Sequence, residues 1–261
     1  IKNERLIKAT EGLESFMYRK ADAVVSVTDS FVAHIAARNV PESRIHVIKN
    51  GVDLAFYDPA VTRDAAAVDA RLEGKYVAAY VGTHGMAHAL HTALEAAALL
   101  KHREDIVFLM VGDGAEKERL VKLRDEMQLT NVIMLDQKPK DAMPAIWAVT
   151  DVSLVLLKNE ELFKTVLPSK IVESMAMKRP IILGVRGEAQ ALVESAGAGI
   201  CIEPENAEQL ANAVVSLADN RDQAKIYGDK GRAFVEAQFD RRKLAGVMEK
   251  ILLGLVGERV D

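Results

Sequence analysis

The chain has 261 residues, of which 49% are hydrophobic and 28% are charged, and this is the balance of a globular protein with a substantial core. A formal net charge of -4 and a pI near 5.9 exclude a general basic field of the kind that holds nucleic acid. The single cysteine, Cys201, excludes a disulfide framework within the chain, so we expect a reducing, cytoplasmic compartment in which Cys201 is a buried strand residue.

The first 54 residues alternate helical and extended patterns but are too few to close a core of their own. They predict a helix near 3–19, a strand at Ala23–Val27, a helix from Ser30 and a strand near Ile45–Ile48. No apolar run in the sequence approaches the roughly 18 residues that a membrane-spanning helix needs.

From residue 76 onward, short branched apolar runs alternate with longer amphipathic segments, which is typical of βα units and a parallel sheet. We predict an α/β fold with a Rossmann-like, doubly wound, six-stranded parallel sheet that has helices on both faces. The predicted strands are Tyr76–Val81, Ile106–Val111, Val132–Leu135, Val152–Leu157, Ile181–Gly184 and Gly199–Ile202. The predicted helices lie near 87–102, 114–128, 140–148, 169–178, 188–195 and 206–219, and two more fill 221–255.

Two glycine-containing turns follow predicted strands at the edge of the sheet where such folds bind ligands. The first, Gly82–Gly85, lets a backbone approach a ligand such as a phosphate, or is a tight turn that needs small residues. Within it, His84 either donates to a phosphate or is a solvated loop residue. For the second turn, Gly112–Gly114, a structural role is favoured over ligand contact.

A third turn, Leu167–Ser169, leads into a helix that carries Lys170 and Glu173 on one face. Ser169 is the predicted N-cap residue. A neighbouring cation and carboxylate suit a nucleotide, because the cation meets a diphosphate while the carboxylate accepts hydrogen bonds from ribose hydroxyls. The alternative is a surface ion pair on an ordinary helix.

The segment LFKTVLPSKIVESMAMKRP, residues 162–180, resembles the donor-binding segment P-S-K-x-x-E-x-M-A-x-x-x-P of family 4 glycosyltransferases. Further motifs occur in that family's order, namely VVSVTDSFVAHI, IHVIKNGVDLAFYDP, YVGTHG, FLMVGDGAEKERL, VIMLDQKP and TDVSLVLL. The resemblance spans nearly the whole chain. It implies a GT-B fold, in which two Rossmann-like domains face each other and the C-terminal one holds most of the nucleotide sugar.

The resemblance also implies roles for individual residues. Glu173 would bind the ribose hydroxyls, and Lys170 and Lys164 would face the diphosphate. Eight residues before Glu173, where many family members carry a glutamate that touches the donor sugar, this chain has Thr165. The remaining substrate-binding residues are Gly82, Thr83 and His84 at the diphosphate, Gln137 and Lys138 at the base, and Thr165, Val166 and Leu167 at the phosphates or the sugar.

The implied reaction is retaining transfer of a sugar from a nucleoside diphosphate, by analogy UDP, to an acceptor hydroxyl of a glycan or lipid-linked acceptor in bacterial polysaccharide or glycolipid synthesis. We expect no cofactor and no metal, because helix N-termini and lysines would stabilise the leaving diphosphate. A lipid-linked acceptor would bring the intact enzyme to the inner face of the cell membrane.

The chain begins at Ile1, and we expect a fragment that binds nucleotide but by itself transfers sugar poorly or not at all. By this interpretation residues 1–54 are the end of an acceptor-side N-terminal domain with its hinge, and 55–238 are the nucleotide-sugar-binding domain. Residues 239–261 are a helix that packs on the missing domain. Alternative functions are a nucleotide-sugar 2-epimerase, a non-catalytic nucleotide-binding module of the same fold, or a Rossmann-like domain with another ligand.

Overall fold

The structure, a computed structural model, describes residues 4–257 and divides into two units. The larger unit is Val52–Asp240, and the smaller one combines the residues up to Gly51 with those from Arg241 onward. The strands are β1 (Val24–Ser26), β2 (Ile45–Val47), β3 (Tyr76–Val81), β4 (Ile106–Val111), β5 (Val132–Leu135), β6 (Val152–Leu156), β7 (Ile181–Gly184) and β8 (Gly199–Cys201).

Eleven α-helices lie within residues 4–257. They are α1 (Glu4–Lys20), α2 (Ser30–Ala36), α3 (Ala65–Val68), α4 (His91–Leu99), α5 (Lys117–Glu126), α6 (Met143–Val149), α7 (Lys170–Ala176), α8 (Glu188–Ala196), α9 (Ala207–Asp219), α10 (Arg221–Gln238) and α11 (Arg241–Gly257). Short 3-10 helices lie at Glu42–Arg44, Ala70–Leu72, Met86–His88, Lys140–Ala142 and Glu161–Thr165.

The larger unit contains one six-stranded sheet in the order β5-β4-β3-β6-β7-β8, with every neighbouring pair parallel. The strand order reverses between β3 and β6, so the loops that follow these two strands diverge and leave a crevice at their carboxyl ends. The predicted six-stranded parallel sheet is confirmed, and its six strands lie where the sequence placed them to within one residue.

Helices cover both faces of this sheet, as the alternation along β3 demonstrates. Val77, Ala79 and Val81 join one buried apolar cluster, whereas Tyr76, Ala78 and Tyr80 join another on the opposite face. Successive side chains of a strand point to opposite faces, so a strand that is buried throughout has two packed layers around it. The doubly wound architecture is therefore confirmed.

The smaller unit has a two-stranded parallel sheet in which Val24 of β1 lies opposite Ile45 of β2. Val24, Ile35 and Val40 form a small buried cluster there. Apolar side chains of α1 stay exposed, among them Leu13 and Phe16. Within residues 4–257, no helix combines the length and the apolar character that crossing a bilayer requires.

Three of the predicted helices begin differently in the structure, and in the one predicted over 140–148 a 3-10 turn, Lys140–Ala142, precedes α6. The segment predicted as one helix over 87–102 is a 3-10 turn followed by α4, because Ala89 between them adopts a left-handed conformation with φ 45°. The helix predicted from 114 starts only at Lys117.

Side-chain details also differ from the sequence prediction. Ser169 occupies the N-cap position of α7, but its hydroxyl caps no described backbone group, because its own backbone is already helical. Asn206 caps α9 as predicted, by accepting from Gln209 N at 2.8 Å. Cys201 lies in β8 but is half-buried rather than buried.

Candidate functional site

Two glycine turns meet at the carboxyl ends of β3 and β4. Gly82 N donates to Val111 O at 2.9 Å, and His84 N donates to Asp113 O at 2.8 Å, so the two turns are joined by backbone hydrogen bonds. A Cβ added at Gly112 would lie 1.9 Å from Gly82 O, and φ at Gly112 is 148°. The predicted structural role of the second turn is therefore confirmed: glycine is required where the two backbones touch.

A cleft of about 210 Å³ opens beside these turns. Four predicted site residues line it, namely Gly82 and Thr83 after β3, and Gln137 and Lys138 after β5. The other lining residues are Val81, Val111, Gly112, Asp113 and Met143. The cleft thus brings together loops from three adjacent strands at the edge where the sequence predicted a ligand.

Lys117 holds the rim of this cleft in place, a role that the sequence did not predict. Its Nζ donates to Gly112 O at 3.0 Å and to Leu135 O at 2.8 Å, so it joins the end of β5 to the second glycine turn. Asp136 Oδ1 lies 3.7 Å from the same ammonium. Because Lys117 is engaged with carbonyl oxygens, its role in this structure is to hold the loops together.

Lys170, the first residue of α7, directs its ammonium beneath the first glycine turn. Nζ lies 3.7 Å from the ring centroid of Tyr80 and 3.0 Å from the position that a Cβ on Gly82 would take. The ammonium is buried and has no hydrogen-bond partner within the described part of the chain. Burial lowers the pKa of Lys170 to about 7, although the nearby carboxylate of Glu173 opposes this shift.

His84 is fully buried, so its interpretation as a solvated loop residue is wrong. Neither ring nitrogen has a hydrogen-bond partner among residues 4–257. Burial, followed by repulsion from Lys117 and Lys170, lowers the pKa of the imidazole to about 4. The ring therefore lies under the turn in its neutral form, and its predicted contact with a phosphate stays a prediction.

The remaining predicted residues lie on the segment before α7. Lys164 forms an ion pair with Glu161 at 2.5 Å, and the Thr165 hydroxyl donates to Leu162 O at 2.8 Å. Val166 and Leu167 follow the 3-10 helix and pack against the larger core cluster. Both polar side chains are thus engaged within their own turn, and the predicted contacts of these four residues with a ligand stay predictions.

The chemistry available at this site is that of anion binding. Lys170 contributes a buried cation beneath Gly82, and Gly82 and Thr83 line the adjoining cleft. Such an arrangement favours a ligand that carries phosphate, since a phosphate oxygen would be an acceptor for the unpartnered ammonium. Within residues 4–257, no group of three or more His, Cys, Asp and Glu side chains is arranged to hold a metal ion.

Comparison with known proteins matches two family descriptions to different parts of the chain. The sequence pattern of the family described as Glycosyl transferases group 1 matches residues 62–234, which is more than half of the chain. The pattern described as Glycosyltransferase Family 4 matches residues 2–56. A putative colanic acid biosynthesis glycosyl transferase of Escherichia coli is 26% identical over 215 residues, covering 80% of this chain and 52% of the relative.

Solved structures share the fold. The Anabaena protein Alr3699/HepE in complex with UDP superposes with a TM-score of 0.77 and 19% identity, over 91% of this chain and 65% of that one. The C-terminal domain of a glycosyl transferase group 1 family protein from Francisella tularensis superposes with a TM-score of 0.61 and 19% identity, over 73% of this chain and 100% of that one. The chain thus spans about half of the length of the Escherichia coli relative and about two thirds of the length of the Anabaena protein.

Proposed function

The chain belongs to the family of glycosyl transferases group 1, and from this premise we propose that its larger unit binds a nucleoside diphosphate sugar, with UDP as the nucleotide. The observation that carries the proposal is the buried, unpartnered ammonium of Lys170 beneath Gly82, next to a cleft lined by Gln137 and Lys138. The UDP complex of the Anabaena protein, which has the same GT-B fold, supports the choice of nucleotide.

In the proposed complex, the diphosphate lies along the first glycine turn. Lys170 donates to its oxygens, and Gly82 and Thr83 provide close backbone approach. Glu173 is three residues after Lys170 and so lies on the same side of α7, where its carboxylate accepts from the ribose hydroxyls. The base then lies against Gln137 and Lys138.

The proposed reaction is retaining transfer of the sugar to an acceptor hydroxyl, without a metal. The bond between the sugar and the diphosphate breaks, and negative charge develops on the departing phosphate oxygen. A cation that is held in a desolvated position before the substrate arrives stabilises that charge more effectively than one in water. Lys170 meets this requirement.

We further propose a glycan or lipid-linked acceptor, which the colanic acid biosynthesis relative supports. The acceptor groups would come from an N-terminal domain to which the smaller unit belongs, and the exposed apolar residues of α1 and α11 support such a neighbour. Because the chain covers 52% of that relative, these 261 residues by themselves are expected to bind the donor but to transfer sugar poorly or not at all. Rapid transfer from UDP-glucose or another UDP-hexose by this chain would contradict that expectation.

Isothermal titration calorimetry with UDP and UMP tests the diphosphate contact. Lys170→Ala should weaken UDP binding about tenfold or more, because a hydrogen bond from a charged donor is lost, and should affect UMP less. Lys178→Ala is the matched control, since Lys178 follows the same helix but pairs with Asp229 at 2.8 Å on the surface. An unchanged affinity for UDP in Lys170→Ala would refute the diphosphate role.

The ribose contact has its own test. Glu173→Gln should weaken binding of UDP by about tenfold, since a charged acceptor is replaced by a neutral one. The same variant should leave the affinity for 2′,3′-dideoxy-UDP close to the wild-type value, because that ligand lacks the hydroxyls that Glu173 accepts from. Equal losses for both ligands would show that Glu173 acts in another way.

A further inference from the structure

The aromatic ring of Tyr80 lies directly beneath the Lys170 ammonium. We propose that Tyr80 is a positioning residue for the donor diphosphate: its ring holds the Lys170 ammonium beneath the Gly82 turn, ready for a phosphate oxygen. The inference rests on the proposed function, because Tyr80 would position Lys170, the residue that binds the diphosphate in that function.

The geometry of the contact is that of a cation over a ring face. Lys170 Nζ lies 3.7 Å from the ring centroid of Tyr80, well inside the roughly 6 Å within which the ring quadrupole attracts a cation. Tyr80 is fully buried in β3, so its ring is fixed by the packing of the core. The ring therefore offers one defined position to the ammonium.

Tyr80 also orders the turn itself. Its hydroxyl donates to Thr83 O at 2.8 Å, which ties the first glycine turn to the strand that precedes it. The ring and the hydroxyl thus act on different partners, the ring on Lys170 and the hydroxyl on the turn. Substitutions that remove one without the other can separate the two effects.

The ammonium is held but not satisfied. A buried cation without a hydrogen-bond acceptor is costly, and a ring face compensates only part of the lost hydration. The pKa of Lys170 is lowered to about 7 for this reason. A phosphate oxygen at Gly82 would supply the missing acceptor. Part of the binding free energy of the diphosphate therefore comes from the new hydrogen bond to this buried ammonium.

The charged and titratable groups around Lys170 are few. Glu173 on α7 favours the protonated lysine. His84 and His88, on the segment after β3, have pKa values lowered mainly by burial, so both are neutral near pH 7. Lys117 lies close enough to His84 to lower the pKa of that imidazole, but it is engaged with carbonyl oxygens of the neighbouring turn. The change of charge near pH 7 at this position therefore belongs to Lys170.

A pH dependence of UDP binding follows. Diphosphate favours the protonated lysine, so binding takes up a proton at pH values above about 7, and the affinity should fall as the pH rises from 7 to 9. Removal of the ring withdraws a group that favours the cation. Tyr80→Leu should therefore begin this decline at a lower pH than the wild type, whereas Tyr80→Phe should follow the wild-type profile.

Nuclear magnetic resonance tests the contact without any nucleotide. The Lys170 ε-methylene signal of the wild type, identified by its absence in Lys170→Met, should be shifted upfield by the ring of Tyr80. Tyr80→Phe should retain that shift and Tyr80→Leu should lose it. An ε-methylene signal at its ordinary position in the wild type would overturn the proposed contact.

Calorimetry then tests the consequence for UDP. Tyr80→Leu should weaken UDP binding about tenfold, which lies between the values for an exposed and for a desolvated pair of cation and ring, while Tyr80→Phe should stay within about threefold of the wild type. In the Lys170→Met background, Tyr80→Leu should cause little further loss. An equal loss in both backgrounds would show that Tyr80 supports the fold and not Lys170, which would overturn the inference.

Tyr76→Leu is the matched control for the size of the change. Tyr76 is a buried tyrosine of the same strand, but its ring lies 4.2 Å from the guanidinium carbon of Arg221 and not near Lys170. The variant Tyr76→Leu should lower the free energy of unfolding without changing the pH profile of UDP binding. If the wild-type chain binds no UDP, the proposed function fails together with the donor role of Tyr80, and a retained ring shift would show that this failure lies in the function and not in the contact.

Discussion

His84 makes the stability of the protein sensitive to acid. Its imidazole is fully buried, and burial with two nearby lysines lowers its pKa to about 4. A histidine in the unfolded chain takes up a proton near pH 6.5. Between pH 6.5 and 4 the unfolded state therefore binds more protons, and the free energy of unfolding falls as the pH falls through this window.

Replacing His84 with leucine removes this contribution. Between pH 7 and pH 4, the wild type should lose about 3 kcal/mol more of its free energy of unfolding than His84→Leu. Urea denaturation at a series of pH values measures the difference. His102→Leu changes an exposed histidine and serves as control. Parallel pH profiles for the wild type and His84→Leu would contradict the buried, neutral imidazole.

The sequence predicted the positions of the site residues better than the environments of their side chains. It indicated Gly82 and Lys170 as neighbours of one ligand, and the structure brings them within contact of each other. It did not predict that Tyr80 lies under Lys170 or that His84 is buried. These properties depend on packing between segments that are distant in the chain, and no local pattern encodes them.

At the scale of elements, the contact between the two glycine turns should be the least tolerant point of the site. Gly112→Ala places a Cβ 1.9 Å from Gly82 O, so the two turns must separate. We expect a loss of about 3 kcal/mol or more in the free energy of unfolding, and weaker binding of UDP because the cleft lies between these turns.

Gly74→Ala introduces backbone strain without a steric clash, so it is the control for Gly112→Ala. Gly74 has φ 70°, and no atom lies within 4 Å of an added Cβ, so this variant should lose only about 1–2 kcal/mol and bind UDP normally. Urea denaturation and calorimetry on both variants provide the comparison. If Gly112→Ala were no worse than Gly74→Ala, the close approach of the two turns would be disproved.

The strands were more predictable than the helices that follow them. A strand that is buried on both faces leaves a continuous apolar run between polar segments, and this run marks its ends to within a residue. Helix starts are less distinct, because Met86–His88 and Lys140–Ala142 form 3-10 turns before the regular helices α4 and α6 begin. The βα alternation was thus sufficient for the topology but not for the exact helix boundaries.

At the scale of the whole molecule, the larger unit has the features of an independently folding domain. Its chain enters and leaves at one place, since Val52 N donates to Phe239 O at 2.8 Å and Val52 bridges to Asp240. Both large apolar clusters consist of residues between these points. The Francisella tularensis C-terminal domain, which shares the fold, was solved by itself.

We therefore predict that residues 52–240 alone fold cooperatively and bind UDP with an affinity within about threefold of the full chain, which corresponds to about 0.7 kcal/mol. The physical reason is that Lys170, Glu173, Tyr80 and every residue that lines the cleft belong to this unit. Urea denaturation and calorimetry on the shortened chain measure both properties, and Lys170→Ala in the same background verifies that UDP occupies the same site. A shortened chain that folds but binds UDP more than about tenfold more weakly would show that residues outside 52–240 complete the donor site.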